Sequence, residues 1–188
     1  MFDFSAATVE GSKYLQPGVH TVRVKEITDG VVDSTGGKFL EFTVEDKLGA
    51  EAKQRYFLNT EVKAGSTKSA WDISRNAILQ IVTSALATDT ETAKTKLMEV
   101  ASGASTPAQL AAGLSRILAG KSFDLRLNGK EVQAKEAGKQ NPIFSEFGSG
   151  TFTAPAGSNK LVFDPAKHIK RLTAPTQTAI STGGNPTW

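Results

Sequence analysis

The sequence predicts a mainly β fold carrying a helical insert, on three observations. Apolar and polar residues alternate before residue 60, the apolar period turns helical between about 66 and 119, and alternation resumes at residue 121. A chain of 188 residues holds one domain with a core and is short for two. We therefore expect a single domain over 1–172, followed by a flexible uncharged tail over 173–188 rich in Thr, Pro and Gly.

Pro17-Gly18 opens the first strand, expected over 20–27, with Val22 and Val24 to one side and Thr21, Arg23 and Lys25 to the other. Ser34-Thr35-Gly36-Gly37 turns the chain into a second strand over 38–46. There Leu40, Phe42 and Val44 oppose Phe39, Glu41 and Thr43. After Leu48-Gly49 a third strand over 52–58 contains Lys53, Arg55, Tyr56 and Phe57, and both of its faces are decorated. Over 69–86, Trp71, Ile78, Val82 and Ala85 form one helical stripe, in which Trp71 reads as core. Thr88-Asp89-Thr90-Glu91 and Thr106-Pro107-Ala108-Gln109 match helix starts, the latter with proline at the first helical position. Gly120 reads as a helix stop.

Strand character returns with Phe123, Leu125 and Leu127. Asn128-Gly129 then gives the strongest hairpin signal in the chain, placing the next strand at Glu131-Val132. Residues 134–160 read as a long basic loop, and 161–163 as a short closing strand. Three strands, helices, then at least two strands is the order of an OB-fold, a five-stranded partly open barrel with helices between strands 3 and 4. A β-sandwich with an inserted helical region produces the same string.

Without cysteine, disulfides, thiolate metal sites and cysteine nucleophiles are excluded, and the two histidines, His20 and His168, have no partners at metal spacing. No nucleophile motif, paired carboxylates or phosphate loop is visible, so the expectation is a non-enzyme with no cofactor and no metal. No apolar run approaches about 18 residues and the first residues lack a signal-peptide pattern, so no membrane partner is expected. The net charge of +3 is unevenly spread: residues 1–120 hold 13 basic against 14 acidic side chains, whereas 121–171 hold 9 against 5.

Phe2-Asp3-Phe4, Leu15-Gln16-Pro17-Gly18 followed by Val22-Arg23-Val24, the strand from Gly37 through Val44, and Ala119-Gly120-Lys121-Ser122-Phe123 carry a likeness. In pattern and order, residues 2–133 resemble bacteriophage single-stranded DNA-binding proteins of the OB-fold type. The resemblance implies a protein that coats single strands during phage DNA replication or recombination in the cytoplasm of the infected host cell. It also implies replication or recombination proteins as partners, and leaves a homo-oligomer open. The uncharged tail departs from the acidic tail with which such binders often recruit proteins.

Single-strand binding without sequence preference requires cations for phosphates and aromatic faces for bases. If Val22, Val24, Leu40, Phe42 and Val44 fill the core, Arg23, Lys25 and Phe39 lie outward, and Arg55 and Tyr56 join them as candidates. Phe39 packed under a loop or against the helices is the alternative. Lys130, Lys135 and Lys139 alternate with Phe144, Phe147 and Phe152 in and beside the long loop, forming the second candidate group. The cluster of Lys167, His168, Lys170 and Arg171 either continues this groove or is simply solvated. The competing reading of the whole chain is a phage structural protein, a capsid-decorating or tail β-barrel.

Overall fold

The computed structural model describes residues 13–135, 139–146 and 152–172. Strands β1 (Gly18–Val31), β2 (Lys38–Asp46) and β3 (Glu51–Phe57) form a meander. Helices α1 (Ala70–Ala85), α2 (Thr90–Ser102) and α3 (Pro107–Leu118) follow, and then β4 (Ser122–Glu131). The chain continues through β5 (Ile143–Glu146), β6 (Phe152–Pro155), a short α4 (Pro165–His168) and β7 (Ile169–Lys170). The seven strands among the described residues belong to one sheet in the order β3-β2-β1-β4-β5, with β6 and β7 also on β4; every pairing between them is antiparallel except β4 with β7.

In place of the expected five-stranded barrel, the described strands form one sheet that is not closed. Among the described residues, β3 and β5 share no ladder. One isolated bridge bends the chain entering β1 back onto β3: Leu15 N–H donates to Glu51 O at 2.9 Å and Glu51 N–H to Lys13 O at 3.0 Å.

A bulge at Lys25 resets the parity of β1, so that Val22 and Val24 before it and Ile27 after it all face the core. β1 runs four residues past its expected end because the ladder to β2 continues to Val31↔Lys38. On the core face, Leu40, Phe42, Val44, Phe123, Leu125 and Leu127 are essentially inaccessible. α1 and α3 cover them with Ile78, Ile81, Val82, Leu114 and Leu118, forming one apolar cluster. Trp71, expected in the core, is half-buried at its margin.

The helix starts follow local chemistry. Ser69 Oγ accepts from Asp72 N–H at 3.0 Å while the Asp72 carboxylate accepts from Ser69 N–H at 2.9 Å, a complete capping box. Asp89 and Thr106 cap α2 and α3, with Pro107 at the first turn of α3.

Asn128-Gly129 does not turn the chain; β4 runs straight through it. A Cβ on Gly129 would lie 3.0 Å from side-chain atoms of Pro17, Ile143 and Ile169. Close packing from three segments, rather than a turn, is what glycine permits here. No separate strand starts at Glu131-Val132, since Glu131 is the last residue of β4; the closing strand over 161–163 is absent, and the long loop instead holds β5 and β6. Both Phe147 and the tail over 173–188 lie outside the described residues. No helix among those described is long and apolar enough to cross a membrane.

Candidate nucleic-acid interface

On the outer face of β1, β2 and β3, cross-strand register brings the predicted cations against carboxylates. Glu41 stands opposite Arg55, and Arg55 Nε donates to Glu41 Oε2 at 2.8 Å. Glu45 stands opposite Glu51, a like-charge pair that is unfavourable alone. Lys25 resolves it from the bulge, with Nζ 2.5 Å from Glu51 Oε1 and 3.6 Å from Glu45 Oε2, and Arg23 Nη2 lies 2.9 Å from Glu45 Oε1. The hydrogen bond between Lys25 and Glu51 raises the lysine pKa and lowers the carboxyl pKa from their ordinary values. Arg23, Lys25 and Arg55 therefore arrive at the outer face already neutralised, which the alternation of β1 and β2 alone does not reveal.

Phe39 lies on the outer face, as expected, but only 7% of it is exposed. Its ring lies on Gly30, where a Cβ would come within 2.5 Å of Cζ; Phe57 meets its edge at 6.2 Å; and the Arg55 guanidinium roofs it at 4.4 Å. Tyr56, read as outward, is a correction. Its register with Leu40 turns it into the core, where it is 1% exposed and meets Phe42 edge-on at 5.0 Å.

The outer face of β4 is different. Arg126, Asn128 and Lys130 share it by strand alternation. The Arg126 guanidinium stacks 3.8 Å from the centre of Phe152, which is opposite it on β6, and donates to Val162 O at 3.2 Å. Four residues further along β4, Lys130 is in register with Phe144 on β5 and with Lys170 on β7. Phe152 and Phe144 are 45% and 57% exposed. Lys130, Lys135 and Lys170 are exposed and have no carboxylate partner among the described residues, and Lys139 is exposed as well. Arg171 and Lys167 pair with Glu131 at 3.9 Å and Asp164 at 3.6 Å.

Four residues of strand thus separate two rows of aromatic and cationic side chains, about 13 Å apart. Buried Asp124 anchors the neighbouring chain beside them, accepting from Thr21 Oγ1 at 2.7 Å and from Gly157 N–H at 3.0 Å. Sequence reasoning named Lys130, Phe144 and Phe152 but missed Arg126. The alternation of β4 put Arg126 outward, which was the available signal. Lys170 was visible only as part of a cluster; β7 joins it to Lys130.

No family model matches the sequence, and no curated protein is significantly similar to it.

Proposed function

We propose that this chain is a non-catalytic single-stranded DNA-binding protein with little sequence preference, which grips the strand over the outer face of β4. The observation that carries this reading is the pair of rows Arg126–Phe152 and Lys130–Phe144, with Lys170 beside the second. Exposed rings offer stacking surfaces worth about 1–3 kcal/mol per base, and unpaired cations neutralise phosphates of any sequence. The meander, the helices between β3 and β4, and the β1–β4 pairing support an OB-type ancestry for the sheet. The setting implied by the sequence resemblance is the single strands exposed in phage DNA replication or recombination.

The test is a titration of labelled oligo-dT against duplex DNA of equal length. The duplex should bind at least about tenfold more weakly, because its bases offer no faces to stack. Equal affinity for the two forms overturns the reading.

A further inference from the structure

A groove of about 540 Å³ opens between the chain entering β1, the start of β3, and β5. Tyr14 and Phe144 line it from two different segments and are 62% and 57% exposed; Ile143 contributes apolar wall and Lys53 a cation. Its size falls within the roughly 300–1,000 Å³ usual for small-molecule sites. We infer that this groove takes one unpaired nucleobase of the bound strand, held between the rings of Tyr14 and Phe144. The inference rests on the single-strand reading above and adds a site to it.

Continuity is the first argument. Phe144 lines the groove and is also the end of the row that crosses β5, β4 and β7 through Lys130 to Lys170. A strand whose phosphates follow those lysines therefore reaches the groove at the next ring. Charge is the second. Lys53 lines the groove, and Lys13 Nζ stands 5.9 Å from the centre of the Tyr14 ring, so cations flank the far side as well. The carboxylate that lines it, Glu51, is held by Lys25 at 2.5 Å and does not stand as an open negative charge against a phosphate. Shape is the third. The bridge of Lys13 and Leu15 to Glu51 fixes the backbone on both sides of Tyr14, so the ring stands on an anchored segment although its own surface is mostly open. Flat apolar walls with cations at the rim fit a base and its phosphate better than they fit a free anion or an aliphatic chain.

The experiment compares wild type, Tyr14→Ala and Tyr14→Phe by anisotropy with labelled oligo-dT, alongside their melting temperatures. Tyr14→Ala should weaken binding roughly five- to 150-fold, the loss expected for one stacked base, and Tyr14→Phe should retain wild-type affinity. A Tyr14→Trp variant should show added fluorescence quenching with oligo-dT, and none with a deoxyribose-phosphate oligomer lacking bases. If wild type binds oligo-dT and Tyr14→Ala binds within twofold of it at unchanged melting temperature, the groove holds no base and the β4 reading survives. If wild type itself does not bind oligo-dT, both readings fall together.

Discussion

Replacing Lys130 and Lys170 together by alanine separates two regions of the outer face of the sheet, the β4 region and the β1–β3 region, as candidates for phosphate contact. Both lysines are exposed, both lie in one row across β4 and β7, and neither has a carboxylate partner among the described residues. On a single strand each phosphate contact contributes about 0.7 to the slope of log affinity against log salt, so the double variant should show a slope shallower by about 1.4. Between about 50 and 200 mM salt, wild type should then lose roughly sevenfold more affinity than the variant. The matched control is Arg23→Ala with Arg55→Ala. It also removes two positive charges, but ones already tied to Glu45 and Glu41, and its slope should stay near that of wild type. Anisotropy titrations of labelled oligo-dT over a salt series measure both slopes. Melting curves check the fold of the lysine variant, where exposed substitutions should cost within about 0.5 kcal/mol. An unchanged slope for the lysine pair, with a shallower one for the arginine pair, would refute the reasoning and move the interface to β1, β2 and β3.

Three further outcomes follow from the packing and the caps. Tyr56→Ala should destabilise the protein by about 3–5 kcal/mol in urea unfolding, as a large core deletion; a near-neutral result would mean Tyr56 does not fill the core as described. Ser69→Ala removes the cap of α1 and should cost about 0.5–2 kcal/mol by the same measurement, with no effect on oligo-dT affinity. Glu51, Asp72 and Asp89 are held below their ordinary values chiefly by bonds from Lys25, the Ser69 hydroxyl and the Thr92 N–H respectively. Lowered folded pKa values give stability that is fully present above the ordinary values, 4.5 for Glu51 and 3.8 for the aspartates, and that is lost as pH falls through the lower folded ones. The urea midpoint should therefore hold from pH 7 to about 5.5 and drop below about pH 4, and a midpoint that rises on acidification would contradict these bonds.

What could be read from the sequence was whatever neighbouring residues decide. β2 begins and ends where alternation between its flanking turns put it, and α3 starts at Thr106-Pro107 because a hydroxyl cap and a proline act within one turn. Features set by distant partners were not legible. Asn128-Gly129 carries a local turn signal, and packing by Pro17, Ile143 and Ile169 overrides it. β5 and β6 have four residues each, too few for a period to show, and depend on their ladders with β4. The orientation of Tyr56 needs the register with Leu40. At the candidate site, the rings of Phe144 and Phe152 were found by composition. The neutralisation of Arg23 and Arg55 comes from glutamates 22 and 14 residues away, brought near only by the sheet.

β4 changes company along its length. Phe123 through Leu127 is bonded to β1 and, over most of that length, to β6, whereas Asn128 through Glu131 is bonded to β5, with the two-residue β7 paired at Gly129 and Lys130. The first half is held by ladders to β1 and β6 and by the buried side chains of Phe123, Leu125 and Leu127. The second half is a satellite whose ladders involve few residues, so it can fray and re-form on its own. Of the two rows on the β4 face, Arg126–Phe152 stands on the first half and Lys130–Phe144 on the satellite. On the proposed reading, a bound strand would meet one row on the core-packed half of β4 and one on the half held by the short β5 and β7, so exposed substitutions such as Phe144→Ala in β5 would change binding more than stability.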